Sequence, residues 1–167
     1  MPVYVPYMMG CGLGGGDWPT YREIIRNACP GARICCLHFV DFDVYTTSFS
    51  RLKSLPEDVI PVCIARYAPK NLRGNIASYP RLFPPQHLLS AYKNGKVGQK
   101  EYRDTYYREV LSQVGIDKAL QDLKGFGNKV ALVCYEKAGD FCHRHIVGDW
   151  VKYLSGYQVE EIPGEKS

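Results

Sequence analysis

Long apolar runs are missing from this chain of 167 residues. It has no stretch of eighteen consecutive apolar residues, so the sequence predicts no membrane-spanning helix and no membrane partner. The first ten residues, MPVYVPYMMG, lack a basic region ahead of an apolar core, which argues against a secretory signal peptide. Low-complexity tracts and internal repeats are also absent. We therefore expect a globular protein with one main domain and, at most, a small appendage.

The cysteines also lack the regular spacing of a disulfide-bonded framework. The seven cysteines are an odd number, and several of them lie inside apolar runs. This pattern is typical of reduced thiols, so the sequence predicts a cytoplasmic location. The net charge of +4 is small; it permits a phosphate-bearing partner but does not require one.

Short apolar runs and helical patterns alternate along the chain. Near-continuous apolar runs predict buried strands, of which the last is the weakest, at 3–9, 32–39, 59–67, 130–136 and 157–162. Helical spacing of apolar residues predicts helices at 18–29, 99–114, 117–127 and 141–154. The alternation indicates an α/β fold with a mostly parallel sheet and helices on both faces, a Rossmann-like sandwich.

The stretch GDFCHRHIVGDW (139–150) follows one of these strands. Asp140 is a plausible N-cap, which would place Cys142, His143 and Arg144 in the first helical turn. Free backbone N–H groups and the helix dipole favour an anion there, and Arg144 adds a bidentate donor. Glu136 lies just before the loop. These residues predict a phosphate or oxyanion pocket at the carboxyl ends of the strands.

Three other interpretations of the same residues stay open. Cys142 could be a nucleophile with a neighbouring histidine as its base. Cys134, Cys142, His143 and His145 include the ligand types that zinc prefers. Adjacent side chains on a helix diverge by about 100 degrees, however, so the sequence predicts no metal site and no cofactor. The third interpretation is a solvated first turn.

The stretch VALVCYEKAGDFCHRHIVGDWV (130–151) resembles the C-terminal signature of the domain-of-unknown-function family 488 (DUF488), in which a strand ending in Cys-x-Glu precedes Cys-His-Arg at a helix start. VYTTSFSRLKSLP (44–56) and IARYAPK (64–70) are similar to earlier parts of that family, and the resemblance spans about 43–163. It implies a compact α/β domain of bacteria and phages, without an agreed activity, within 41–167. The family pattern marks as site residues Thr47, Ser48, Ser50, Arg66, Glu136, Cys142, His143 and Arg144. Lys70, which ends IARYAPK, is a further candidate for ligand binding.

The first forty residues form a separate unit in this interpretation. GCGLGGGDW (10–18) lies between a predicted strand and a predicted helix, and Gly12, Gly14 and Gly15 would let backbone amides approach a phosphate. Residues 3–39 resemble the C-terminal part of a macrodomain, an ADP-ribose-binding fold whose other strands are absent here. We expect a remnant of a fused gene or an extension of the main sheet. Its strand edges make a homodimer plausible.

Two functions from different classes fit these features. The first is binding, and possibly hydrolysis, of a phosphate-bearing nucleotide of the NAD or ADP-ribose type. Glu136 or His143 would act as acid or base, and Arg66 and Arg144 would hold the anion. A protein that only sequesters the nucleotide would use the same pocket.

The second function is single-stranded nucleic-acid binding. Basic residues interleaved with aromatic rings could form a groove that follows the backbone and stacks the bases. The residues concerned are Lys53, Arg66, Lys70, Arg73, Arg81, Tyr67, Tyr79 and Phe83.

Overall fold

A computed structural model describes residues 3–6, 16–35, 41–137 and 139–162. The strands in this part of the chain are β1 (Tyr4–Pro6), β2 (Arg33–Cys35), β3 (Asp43–Ser48), β4 (Ile60–Cys63), β5 (Ala77–Ser78), β6 (Lys129–Cys134) and β7 (Val159–Glu161). The α-helices are α1 (Trp18–Ala28), α2 (Gln86–Lys93), α3 (Gln99–Tyr106), α4 (Ser112–Val114), α5 (Ile116–Lys124) and α6 (His143–Ser155). None of the described helices is both long enough and apolar enough to cross a membrane.

Five strands form one parallel sheet in the order β5-β4-β6-β3-β7. The prediction of an α/β fold with a parallel sheet is confirmed. In the central pair, Ser48 of β3 is in register with Cys134 of β6, and Cys63 of β4 is in register with Val133. The carboxyl ends of three adjacent strands therefore meet at one edge of the sheet.

β1 and β2 pair in parallel with each other and form a separate two-stranded sheet. The strands predicted at 3–9 and 32–39 are thus present in their described parts. Among the described residues, however, neither strand joins the five-stranded sheet, so the expected extension of the main sheet is not observed. In the described part of the chain, each of these strands comprises three residues.

The core lies between the sheet and the helices α2, α3, α5 and α6. Valines and leucines of the strands face apolar positions of these helices, and most of the side chains are fully buried. Residues at the centre of this contact are Val44, Val62, Leu132, Leu120, Leu123, Val147 and Val151. Burial of each such side chain stabilises the fold by roughly 1.5–3 kcal/mol, so this packing holds β6 and α6 against each other.

The helix predicted at 99–114 is interrupted by a π-helical turn over Tyr107–Leu111. A π-helical turn takes more residues than an α-helical one, so the face that meets the core changes along the segment. Tyr106 and Leu111 are fully buried, whereas Tyr107 is 46% exposed. A regular α-helical period over 99–114 predicts that Tyr107 lies on the same buried side as Tyr106 and Leu111, and this prediction is wrong.

Candidate functional site

The loop between β6 and α6 brings the signature residues into the protein. β6 ends at Cys134, and α6 begins at His143. Cys142 is the N-cap, with extended backbone angles (φ −148, ψ 144) and no side-chain capping bond. The expectation that Asp140 caps the helix was wrong, because the backbone N–H of Asp140 closes a turn onto the Lys137 carbonyl at 3.2 Å and the helix starts later.

Cys134, Cys142 and His143 form a buried cluster. The two sulfur atoms and one ring nitrogen of His143 all lie within 4.8 Å of one another. The distance from the Cys134 sulfur to Nδ1 of His143 is 3.7 Å. The premise that Cys142 and His143 cannot face one ion was wrong, because Cys142 precedes the helix and its side chain does not follow the helical 100-degree step.

The orientation of the His143 ring is fixed from two sides. Its Nε2 lies 2.9 Å from the carbonyl oxygen of Ile64, which can only accept a hydrogen bond, so Nε2 carries the proton. The ring edge packs against Tyr106 at a centroid distance of 5.7 Å. In the neutral ring, Nδ1 therefore presents a lone pair to the two sulfur atoms.

The hydrogen bond between the two cysteines shifts their pKa values in opposite directions. A hydrogen bond with the Cys142 sulfur, together with burial, raises the pKa of the Cys134 thiol. The same bond lowers the pKa of Cys142 against the opposing effect of burial, and His143 lowers it further. Cys134 also donates to Oε2 of Glu136 at 3.2 Å. Burial raises the pKa of Glu136, and the nearby Cys142 sulfur adds to this.

Arg144 is fully buried and paired with Glu161 of β7. Its Nε donates to Oε2 of Glu161 at 3.2 Å, and its Nη2 donates to Oε1 at 3.0 Å. Nη2 also donates to the Lys137 carbonyl at 3.1 Å, which holds the β6–α6 loop. Within the described residues, the remaining nitrogen Nη1 has no hydrogen-bond partner. Arg144 therefore braces the loop from inside, instead of offering a free bidentate donor to a ligand.

The Glu161 carboxylate makes two further contacts, both through Oε2. Thr46 donates its hydroxyl to Oε2 at 2.5 Å, and Nε2 of His145 lies 3.3 Å from Oε2. Burial alone raises the pKa of Glu161, but the bonds from Arg144 and Thr46 outweigh burial and hold the pKa below its ordinary value of 4.5. The carboxylate is thus ionised and links three elements of the fold, β3, β7 and α6.

A cavity of about 350 Å³ opens above the cluster. Its polar lining comes from Arg66, Lys93, Glu136, Cys142 and His143. The rest of its wall is mostly apolar and aromatic, and it includes Tyr67, Leu89, Tyr92, Tyr102, Tyr135 and Phe141. The buried sulfur and imidazole groups, together with the more exposed Glu136 carboxyl, therefore face a space large enough for a small molecule.

Comparison with known proteins identifies the family. A family model for DUF488-N3a, described as the active DUF488-N3 subclade, matches residues 44–154. The chain belongs to the DUF488 family. No curated protein and no solved structure matches it. The resemblance to DUF488 is confirmed, whereas the macrodomain resemblance of residues 3–39 is not supported.

The predicted site residues of this DUF488 chain divide into three groups. Arg66, Glu136, Cys142 and His143 line the cavity. Others lie outside its lining, namely Thr47, Ser48, Ser50, Lys70 and Arg144. Gly12, Gly14 and Gly15 lie outside the described residues.

The predicted site residues that lie outside the cavity make only local contacts or, within the described residues, no polar contact. Thr47 is fully buried, and its hydroxyl has no partner in the described part of the chain. The hydroxyls of Ser48 and Ser50 are 2.8 Å apart and satisfy each other beside the end of β6. Lys70 is exposed at the start of a short 3-10 turn, Lys70–Leu72.

Sequence reasoning missed much of the cavity wall of this DUF488 domain. Tyr92 and Lys93 come from α2, a helix that the spacing of apolar residues did not indicate and only the family resemblance implied, and Phe141 and Tyr135 come from the loop around the signature. The signal available was weak: the aromatic residues flank the signature, but nothing local indicates that α2 folds back over it. Glu161 was also missed as the partner of Arg144.

Proposed function

We propose that this DUF488 domain binds a phosphate-bearing nucleotide in the cavity and hydrolyses it. The observation that carries the proposal is the cavity itself, which aromatic rings and two cationic side chains line together with Glu136, Cys142 and His143. Different residues of the cavity support recognition of the base, recognition of the phosphate, and hydrolysis.

Aromatic side chains support recognition of a flat ring. Tyr92, Tyr102 and Phe141 pack on one another with centroid distances of 5.3, 5.1 and 5.4 Å, so one inner wall is rigid. Tyr67 and Tyr135 also line the cavity and remain 54% and 49% exposed. Base–aromatic stacking contributes about 1–3 kcal/mol per base, and exposed tyrosines at a cavity are suited to it.

Arg66 and Lys93 support recognition of an anion. Nε of Arg66 donates to the Pro84 carbonyl at 2.7 Å, which orients the guanidinium. This leaves both terminal nitrogens of Arg66 without another bond inside the described residues. Lys93 ends α2 on the same cavity wall. An oriented guanidinium beside an ammonium group favours a phosphate.

The size of the cavity limits the ligand. A volume of about 350 Å³ lies near the lower end of small-molecule sites, which span roughly 300–1,000 Å³. The cavity thus suits one nucleotide unit. For a dinucleotide such as NAD, we infer that one half occupies the cavity and the other half extends past Tyr67 and Tyr135.

Hydrolysis, rather than binding alone, is supported by the groups at the cavity floor. A carboxyl group, an imidazole and a cysteine sulfur with a lowered pKa line the cavity there, and a pure binding site has no need of such a set. The matching family model describes its subclade as active, which also favours an enzyme over a sequestering protein.

The nucleic-acid alternative has less support. Tyr79, one of its three stacking candidates, is 5% exposed and donates its hydroxyl to Asp122 at 2.9 Å. It offers no free face to a base. Nucleic-acid binding is therefore the competing result that the thermal-shift screen can reveal.

A thermal-shift screen of the purified chain tests the proposal. The probes are AMP, NAD, ADP-ribose and short single-stranded DNA and RNA, each at low and high salt. We expect a nucleotide to raise the melting temperature at both salt concentrations, because a ligand that binds the folded state stabilises it by mass action. Hydrolysis products are then sought by chromatography. A shift only with oligonucleotides, lost at high salt, would overturn the proposal.

Arg66→Ala is expected to weaken binding of the nucleotide found in that screen about 30-fold. The reason is loss of a charge-assisted bond of about 2 kcal/mol, which corresponds to that ratio of Kd. Isothermal titration calorimetry measures the effect.

Arg73→Ala is the matched control for Arg66→Ala. Nε of Arg73 also donates to a backbone carbonyl, that of Ala68 at 3.2 Å, but Arg73 does not line this cavity. We expect less than about a threefold change in Kd for the control. Equal losses of affinity in the two variants would indicate that the ligand binds near Arg73, outside this cavity.

A further inference from the structure

The cluster of Cys134, Cys142 and His143 has the dimensions of a zinc site. Zinc binds sulfur at about 2.3 Å and imidazole nitrogen at about 2.0–2.1 Å, so tetrahedral ligand atoms lie roughly 3.5–3.8 Å apart. The Cys134 sulfur and Nδ1 of His143 are 3.7 Å apart, and all three ligand atoms lie within 4.8 Å. A small rotation of the Cys142 side chain toward the other two ligand atoms would close the remaining distance.

The hydrogen bond that His143 donates is typical of a histidine that binds a metal ion. A metal-binding histidine usually donates its second N–H to a carbonyl or a carboxylate, which fixes the free nitrogen toward the metal. His143 does so through Nε2 and the Ile64 carbonyl at 2.9 Å. Nδ1 is the nitrogen left to face both sulfur atoms.

Charge around the cluster is also compatible with a divalent ion. Zn²⁺ is neutralised by two thiolates, and it binds them in exchange for their protons. The guanidinium of Arg144 interacts with Cys142 and is itself balanced by Glu161. The buried site then carries no uncompensated charge, which burial would penalise strongly.

The three residues also leave one coordination position toward the ligand cavity. Cys134, Cys142 and His143 all line that cavity, as does Glu136, whose carboxyl oxygen lies 3.2 Å from the Cys134 sulfur. Zinc sites with three protein ligands keep a fourth position for water or substrate and are catalytic, whereas structural sites have four protein ligands. One histidine and two cysteines beside a glutamate that is not a ligand is the donor set of zinc-dependent deaminases.

We propose that Cys134, Cys142 and His143 bind one zinc ion whose fourth position opens into the cavity beside Glu136. This inference goes beyond the nucleotide proposal and does not rest on it: the ion can be present in a chain that binds none of the nucleotide probes, and a nucleotide can bind a chain without the ion. A metal role for Cys142 also excludes its role as a free nucleophile, since the ion occupies the sulfur lone pair.

Metal analysis of the full chain, expressed with zinc in the medium, is the test. We expect about one zinc per chain in the wild type. We expect at least a tenfold lower content in Cys134→Ser and Cys142→Ser. The matched control is Cys63→Ser, because Cys63 is buried in the same small cluster but is not one of the three ligands. It should retain one zinc per chain.

A second measurement remains decisive if the serine variants do not fold. The reduced, metal-free wild type is titrated with Co²⁺, and thiolate coordination should give a sulfur-to-cobalt charge-transfer band that saturates at one equivalent. Zinc should also protect Cys134 and Cys142 from alkylation, as read from mass-mapped peptides.

Two results would overturn the proposal. One is the absence of both zinc and the cobalt band from the folded wild type. The other is alkylation of Cys142 at the same rate with and without an equivalent of zinc, which would favour a free thiolate nucleophile.

Discussion

Glu161→Gln is expected to lower the free energy of unfolding by about 3 kcal/mol, near the lower end of the range for breaking a buried ion pair from one side. Arg144 is fully buried, and Glu161 is its ionic partner. The amide of Gln keeps an acceptor oxygen but not the charge, so the guanidinium remains in the interior without compensation. Urea unfolding followed by circular dichroism measures the change.

Asp149→Asn provides the matched control on α6. Asp149 pairs with Arg103 at 3.5 Å, but both side chains are more than half exposed. Exposed ion pairs contribute about 0–1 kcal/mol, so this variant should unfold close to the wild type. If the two variants lost the same stability, the buried bonds of Arg144 would not be what holds the β6–α6 loop.

The same pair predicts how stability depends on pH. The pKa of Glu161 in the folded chain lies below its ordinary value of 4.5. Its contribution is therefore present above pH 4.5 and is lost as the pH falls toward the folded pKa. The difference in unfolding free energy between wild type and Glu161→Gln should shrink over that acid range. A difference that stayed constant there would mean that the charge of Glu161 is not responsible.

Tyr106→Phe is expected to destabilise the fold by about 1–3 kcal/mol, because it leaves a buried carbonyl without its donor. The Tyr106 hydroxyl donates to the Leu82 carbonyl at 2.6 Å, and its ring packs against His143. In the wild type, this hydrogen bond joins α3 to the segment that precedes α2. Chemical unfolding again gives the magnitude.

Tyr107→Phe is the control for Tyr106→Phe, since Tyr107 is the next residue and is 46% exposed. Its hydroxyl is available to water, so the change should stay within about 0.5 kcal/mol. Equal effects at the two positions would contradict the register that the π-helical turn imposes on this segment.

The fold and part of the site could be predicted because their signals are local. The apolar run that ends at Cys134 forms a buried strand, and the cysteine and histidine of the signature lie where that strand gives way to a helix. Strand ends converge in a parallel sheet, so Arg66 and Glu136 could be placed in one crevice from the sequence, and both line the cavity.

What could not be predicted depends on contacts distant in sequence or on one residue of register. Glu161 pairs with Arg144 only because β7 lies beside β3, a neighbour relation that no local pattern specifies. The sequence argument against a metal site assumed that Cys142 lies inside the helix; because the helix starts at His143, that argument does not hold. Tyr92 reaches the cavity through the fold of α2, whose path local patterns do not specify.

The position of β7 beside β3 has a consequence for the order in which the protein assembles. Thr46 and Glu161, which join these two strands, are 115 residues apart in the chain. During translation, β7 leaves the ribosome after every other described strand, and until then Arg144 has no ionic partner. Most of the described strands and helices are therefore synthesised before the ionic partner of Arg144, the residue that holds the β6–α6 loop, is available. A chain terminated before residue 159 would carry the whole signature sequence and still lack the carboxylate that balances the buried charge of Arg144.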